Sequence, residues 1–224
     1  MLQTQPPQNQ LPQNQIPLDT WLAASWEEFT AIADDPSNSK VKGYYYPSYM
    51  RFEPMSTGSD HANDHALILF ALTFFAAQQE IPMTAKDCCS YRHSRAYEFQ
   101  PDISYYIGEN ANAIPWGTRV IDLELYPQPD LVIEISDTSL PDDLGFKRLQ
   151  YEDLGLREYW VVDVQASQIY AFRVESDRSS RRLQESQVLP GLKLEILEQA
   201  LQRSRQESQS ATTAWLMTQF PRSS

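Results

Sequence analysis

Glu134 interrupts an apolar run in the stretch PDLVIEISD, residues 129–137. An ionised carboxylate inside such a strand is unfavourable unless it is paired, protonated or bound to a metal ion. Because side chains alternate across a β-strand, Asp130, Glu134 and Ser136 share one face, while the leucine and both isoleucines occupy the other. Glu134 is therefore a candidate metal ligand, with an ion pair to a nearby arginine as the alternative.

A second acid, Asp102, lies near the start of the strand-like stretch QPDISYYI. Asp102, Ser104 and Tyr106 share one face of that strand. If this strand and the strand of Glu134 are neighbours, each presents one carboxylate to the same side of a sheet. The alternative interpretation of Asp102 is a turn residue after Pro101.

Lys147 lies in the middle of an apolar stripe on a helix predicted between residues 139 and 154. Spacings of three and four residues bring five side chains to the sheet-facing surface of this helix: Leu140, Leu144, Lys147, Tyr151 and Leu154. One alternative is a lysine that extends its ammonium to solvent at the rim of the core. The other is a simple ion pair with Glu134, which also places an ammonium beside the carboxylates.

Two carboxylates and a lysine on adjacent elements suit the metal-assisted hydrolysis of a phosphodiester. Carboxylate oxygens hold Mg²⁺ or Mn²⁺, which polarises the phosphate and lowers the pKa of a water molecule. The lysine positions or deprotonates that water and stabilises the negative charge that develops. We therefore predict Asp102 and Glu134 as metal ligands, and both of them with Lys147 as catalytic residues.

These side chains must be positioned by a sheet and its helices. Hydrophobic periodicity predicts helices at 20–35, 61–80 and 139–154, with one or two more within 193–216. It predicts a hairpin at 43–53, strands at 83–92, 101–107, 130–136, 158–164 and 168–174, and an edge strand at 180–188. The strand–helix–strand crossover beside hairpin-linked strands indicates an α/β fold with a central mixed β-sheet flanked by helices.

The length of 224 residues allows one substantial core. Residues 1–18 are rich in Gln, Pro and Asn, so we predict a disordered tail there. We place the folded domain at residues 19–200 and a helical extension at residues 201–224.

The charge balance and the cysteines bear on partners and location. A net charge of −12 opposes non-specific phosphate binding, so contact with DNA is predicted to be weak and salt-sensitive. The adjacent Cys88 and Cys89 do not form a disulfide framework and indicate a reducing, cytoplasmic location. The longest apolar stretch, from Ala66 to Ala77, has 12 residues, which is too short to span a bilayer, and no membrane contact is expected.

Four motifs occur in order and at compatible spacing: QPDISYYIGE, PDLVIEISDTSL, KRLQYEDLGLREYWVVDV and QVLPGL. From about Trp26 to Ala200 the chain thereby resembles the Uma2-type restriction endonuclease family of bacterial proteins, within the PD-(D/E)XK nuclease superfamily. The resemblance implies a restriction-endonuclease-like fold and a Mg²⁺-dependent DNA endonuclease. It makes Asp102 and Glu134 the acidic motif residues, and Lys147 replaces the lysine that the superfamily pattern has at the position of Ser136.

One stretch departs from the family pattern. Family members carry a hairpin resembling YELIDGELVE, whereas this chain has YYYPSYMRFE, in which only Glu53 is acidic. The departure predicts that a supporting glutamate is missing. The alternative function is therefore a catalytically weak or inactive nuclease-fold protein that acts as a binding or assembly module. If the protein cuts both strands of a duplex, a homodimer is favoured.

His61 and His65 are four residues apart, a spacing that can hold zinc. Such a site needs a third ligand, and HANDH does not offer the peptidase pattern. The family resemblance instead implies that His61, which follows the turn MSTGSD, lines the same pocket as the catalytic residues. We predict Ser136, Asp130 and Tyr151 as further members of that pocket.

Overall fold

Two six-stranded sheets and six α-helices form the part of the chain that the computed structural model describes, residues 16–55 and 57–222. The strands are β1 (Leu22–Ala23), β2 (Val41–Tyr46), β3 (Tyr49–Pro54), β4 (Met83–Asp87), β5 (Tyr91–His93), β6 (Tyr97–Phe99), β7 (Ile103–Ile107), β8 (Ile121–Asp122), β9 (Leu131–Ser136), β10 (Glu158–Asp163), β11 (Gln168–Val174) and β12 (Ser180–Leu183). The helices are α1 (Trp26–Ala33), α2 (Ser59–Gln78), α3 (Leu140–Asp143), α4 (Phe146–Leu154), α5 (Leu194–Ser204) and α6 (Gln209–Gln219).

Both sheets are mixed. The first has the strand order β1-β3-β2-β6-β5-β8, and the second has the order β12-β11-β10-β9-β7-β4. The parallel pairs are β5 with β8 and β9 with β10, the latter joined by the crossover through α3 and α4. The predicted α/β fold class is confirmed. The prediction of a single central sheet is incomplete, because the hairpin strands β2 and β3 belong to a separate sheet.

The second sheet is buried on both faces, which explains its apolar strands. One face of β9 and β10, with Ile133 and Trp160, packs in a core with residues of α2, α5 and α6. The opposite face, with Val132 and Tyr159, packs against Tyr44 of β2 and Tyr151 of α4. The predicted alternation across β9 is therefore confirmed, and its Glu134 face is turned toward the first sheet.

Three predicted elements have different boundaries in the structure. The helix expected from residue 20 begins at Trp26, because Ser25 and Glu28 form a capping box there and β1 pairs with β3. The stretch 83–92 contributes β4 to one sheet and β5 to the other. The helix expected at 139–154 is divided at Gly145, where a β-carbon would lie 2.7 Å from the carbonyl oxygen of Pro141. This break places Lys147 in the first turn of α4.

The first and last described segments of the chain pack on the same body. Residues 1–15 of the predicted tail lie outside the described residues, while Leu18 at its end pairs with Phe52 of β3. The boundary predicted at residue 200 falls within α5, and Leu216 and Phe220 join the core of the second sheet. Over the described residues, no helix has the length and apolar character needed to cross a membrane.

Candidate functional site

A cavity of about 230 Å³ lies between the two sheets, beside the first turns of α2 and α4. Residues from six separate parts of the chain line it. Its ionisable lining residues include Lys42, Glu53, His61, Asp102, Glu134 and Lys147. The two acids and the lysine predicted as catalytic residues are thus in one cavity, together with the predicted pocket residue His61.

Asp102 and Glu134 meet because β7 and β9 are antiparallel neighbours. The register pairs Ile103 with Ile133. In an antiparallel pair this places Asp102, which precedes Ile103, beside Glu134, which follows Ile133. The carboxylate of Asp102 also accepts a hydrogen bond of 2.8 Å from the backbone N–H of Ile135. Sequence alternation and strand adjacency together are sufficient to explain this convergence.

The Asp102 carboxylate is buried and surrounded by donors. Its Oδ1 forms an ion pair with the Lys42 ammonium, and its Oδ2 lies 3.2 Å from Nε2 of His61. Burial favours the neutral acid, but the hydrogen bond from His61 and the charge on Lys42 hold the pKa of Asp102 below its usual range. Asp102 is therefore ionised at neutral pH.

Glu134 is equally buried but less well compensated. Its Oε1 accepts a hydrogen bond of 2.8 Å from the Tyr151 hydroxyl, and its Oε2 lies 3.6 Å from the Lys147 ammonium. Burial, together with repulsion from Asp102 and Asp143, raises the pKa of Glu134 to about 8 despite the nearby lysine. The ionised form of Glu134 therefore lacks sufficient compensating positive charge.

Lys147 is fully buried among carboxylates. Its Nζ lies 3.0 Å from Asp143 Oδ1, 3.0 Å from Glu53 Oε1 and 3.6 Å from Glu134 Oε2. It also lies 4.3 Å from the centre of the Tyr44 ring. Burial disfavours the ammonium, but the three carboxylates raise the pKa of Lys147 well above its ordinary value. The lysine is therefore a fixed cation, which argues against its predicted alternative role as a base that deprotonates water.

Glu53 corrects the expectation that the hairpin lacks a supporting glutamate. It lines the cavity at the end of β3 and is paired with both Lys147 and Arg51. Burial alone would raise the pKa of Glu53, but the charges and hydrogen bonds of Lys147 and Arg51 lower it below its ordinary value. The one acidic residue of the YYYPSYMRFE stretch therefore lines the cavity.

Lys42 was missed by sequence reasoning. It lies on β2, just before the predicted hairpin, and only 4% of its surface is exposed. The available signal was its alternation with Tyr44, which places both side chains on one face of a strand. What could not be read from that pattern is that this face covers Asp102.

Of the remaining predicted pocket residues, two lie near the cavity and one lies away from it. Tyr151 contacts Glu134 through its hydroxyl, and Ser136 is buried nearby with its Oγ 3.4 Å from Ser139 Oγ. Asp130 lies elsewhere, because it is four positions before Glu134 along the extended chain, a distance of about 13 Å. Its carboxylate accepts hydrogen bonds from the Ile107 N–H at 2.8 Å and from Arg157 at 2.9 Å. Its inclusion in the pocket was therefore wrong.

The donor set is compatible with a divalent cation. The cavity lining includes the carboxylates of Glu53, Asp102 and Glu134. A fourth, on the buried Asp143, pairs with Lys147. Lys42, Lys147 and Arg51 balance these charges. Carboxylate oxygens are the ligands that Mg²⁺ and Mn²⁺ prefer. The raised pKa of Glu134 marks the place where added positive charge would be most favourable. Such an ion would have to share Asp102 with Lys42.

Comparisons with known proteins identify a family and a similar fold. A family model named Uma2 and described as "putative restriction endonuclease" matches residues 26–212. Among solved structures, the chain is similar to the crystal structure of a "putative nuclease belonging to DUF820" from Anabaena variabilis ATCC 29413. The two have 17% sequence identity and a TM-score of 0.57, over 80% of this chain and 99% of that one, so the likeness concerns the fold. No curated protein matches the chain significantly in sequence.

Proposed function

The chain belongs to the Uma2 restriction endonuclease family, and from this membership and the cavity we propose that the protein is a divalent-metal-dependent DNA endonuclease. The observation that carries the proposal is the meeting of Asp102, Glu134 and the Lys147 ammonium in one cavity between the sheets. These are the residue types that metal-assisted phosphodiester hydrolysis requires.

In this proposal Asp102 and Glu134 hold Mg²⁺ or Mn²⁺. The bound ion would polarise the phosphate and acidify a water molecule. Lys147, held as a cation by its carboxylate neighbours, stabilises the negative charge that develops on the phosphate oxygens. His61 and the Ile135 N–H orient the Asp102 carboxylate, and Tyr151 orients that of Glu134.

The proposed contact with DNA is weak, because the net charge of −12 repels the phosphate backbone. Local positive charge in the cavity comes from Lys42, Lys147 and the proposed ion. A cytoplasmic location is part of the proposal and is supported by the free Cys88 and Cys89. A homodimer is proposed as the form that cuts both strands of a duplex.

A cleavage assay tests this function. Purified protein should nick or cut single-stranded, duplex or branched DNA at low ionic strength with Mg²⁺ or Mn²⁺, and a chelator should stop the reaction. Glu134→Gln should lose this activity. Asp130→Asn is the matched control, since it alters a buried acid next to the same strand but outside the cavity. Failure of the wild type to cut any of these substrates, or equal cutting by Glu134→Gln, would contradict the proposal.

One observation favours the alternative, a catalytically weak or inactive binding module. The Lys42 ammonium already neutralises Asp102, which reduces the need for a metal ion there. Under this alternative, the protein binds DNA or a partner without cleavage, and Mg²⁺ has no effect on its stability. The cleavage assay and a metal titration therefore separate the two functions.

We expect Mg²⁺ affinity to depend on pH through Glu134. Its pKa of about 8 means that a proton competes with the ion at lower pH, whereas Asp102 stays ionised. The affinity should therefore rise by up to about tenfold per pH unit and level off above about pH 8. Calorimetric titration between about pH 6 and 9 measures this slope. An affinity that does not change below the pKa of Glu134 would show that its carboxylate is not a ligand.

A further inference from the structure

A group of three potential ligands lies at the backbone of Asp102, whereas the cavity lies at its side chain. His65, Asp87 and Cys88 each offer one ligand atom, and these atoms are all within 4.8 Å of one another. The Nε2 atom of His65 lies 3.3 Å from Oδ1 of Asp87. Among the described residues, no other group of three or more histidine, cysteine or acidic side chains brings its ligand atoms this close together, and the proposed site in the cavity rests on a pair of acids.

The group joins two elements that are distant in sequence. His65 is on α2, one turn after His61, while Asp87 ends the edge strand β4 and Cys88 follows it. The two histidine rings are nearly parallel, with centroids 6.2 Å apart, but they have different partners. His61 contacts the Asp102 carboxylate, and His65 contacts the Asp102 carbonyl oxygen at 3.1 Å. The two histidines therefore do not form the joint zinc site considered from their spacing.

The distances fit a tetrahedral ion with little rearrangement. Zn–N and Zn–O bonds of about 2.0–2.1 Å put two ligand atoms about 3.4 Å apart, and a Zn–S bond of about 2.3 Å widens this to about 3.6 Å. The separation of 3.3 Å between His65 and Asp87 already matches. The Cys88 sulfur, within 4.8 Å of both, needs to move closer by about 1.2 Å at most.

We propose that His65, Asp87 and Cys88 form a second metal site, which binds Zn²⁺ or a similar thiophilic divalent ion. The thiolate ligand excludes Mg²⁺, which prefers oxygen. Asp87 is 64% exposed, so an ion can enter from solvent and keep a water molecule as its fourth ligand. His65 would give up its contact with the Asp102 carbonyl, which keeps the hydrogen bond of 3.0 Å from the Cys88 N–H.

Co²⁺ is the appropriate probe, because a cobalt–thiolate bond gives a charge-transfer band that oxygen ligands do not give. Chelator-treated full-length protein should develop this band with one equivalent of Co²⁺, even with Mg²⁺ in excess. Zn²⁺ should then abolish the band by displacement. Absence of a thiolate band in the wild type would overturn the proposal.

Matched variants assign the ligands. Cys88→Ser should remove the band, whereas Cys89→Ser, which changes the adjacent half-buried thiol outside the group, should keep it. Asp87→Asn, at an exposed position, should weaken Co²⁺ binding by about 100-fold or more. Loss of a residue that only hydrogen-bonds to a metal ligand already lowers metal affinity by about 10–100-fold. Glu134→Gln should retain the band, so this site is tested independently of the nuclease proposal. An unchanged cobalt–thiolate band in folded Cys88→Ser would contradict the proposed second metal site.

Discussion

Replacing Lys147 with methionine should abolish DNA cleavage while the divalent ion stays bound. The ammonium is 3.0–3.6 Å from three carboxylates and is the buried cation nearest Glu134, and in the proposed mechanism it stabilises the charge that develops during hydrolysis. Loss of such a positioned group typically lowers the rate by about 10²–10⁴-fold. Metal affinity should be retained or increase, because without the ammonium the three carboxylates repel one another and a bound cation relieves that repulsion. Single-turnover cleavage rates and a parallel Mg²⁺ titration measure the two effects.

Arg148→Met is the control for this experiment. Arg148 is the next residue of α4, but it pairs with Glu152 and lies over Phe172, away from the cavity. The Arg148→Met variant should therefore cut DNA at close to the wild-type rate. If Lys147→Met cuts as fast as the wild type while Glu134→Gln does not, the lysine has no role in the chemistry and serves only to balance buried charge.

Replacing Lys42 with methionine should destabilise the metal-free protein strongly, and Mg²⁺ should reverse much of the loss. Without Lys42, the partners that the buried Asp102 carboxylate keeps within the described part of the chain are His61 and the Ile135 N–H. Removing one partner of a buried ion pair typically lowers the free energy of unfolding by about 3–5 kcal/mol. An ion that binds Asp102 restores the missing charge and no longer competes with an ammonium. Urea unfolding with and without Mg²⁺ measures both quantities.

The exposed Lys40, two residues earlier, provides the comparison. Lys40→Met should change the free energy of unfolding by less than about 0.5 kcal/mol, as surface substitutions usually do. The interpretation of Lys42 would be wrong if its variant unfolded at the wild-type free energy. It would also be wrong if Mg²⁺ stabilised the variant no more than it stabilises the wild type.

Much of the site follows from local periodicity. Alternation along β7 and β9 predicts the faces of Asp102 and Glu134, and helical spacing predicts that Lys147 is turned toward the sheet. The motifs predict the family, which the match over residues 26–212 confirms. The predictions for Asp102, Glu134 and Lys147 agree with the structure because they depend on side-chain direction within one element and on one pairing of neighbouring strands.

The parts that were missed depend on packing between elements. Lys42 and Glu53 reach the cavity only because the sheet containing β2 and β3 covers the face of the sheet containing β7 and β9. A hairpin can be predicted from its own residues, but its position over another sheet cannot. Asp130 shows the converse error: the correct face was predicted, but a shared face does not imply a short distance along the strand.

A calorimetric titration of Mg²⁺ into the wild type, Glu134→Gln and Asp130→Asn tests whether Asp102 and Glu134 hold a divalent ion in the cavity between the sheets. At a pH above about 8, where Glu134 is ionised, the wild type and Asp130→Asn should bind Mg²⁺, and Glu134→Gln should lose most of the affinity. Equal binding by Glu134→Gln and the wild type, or no binding by the wild type, would contradict the account.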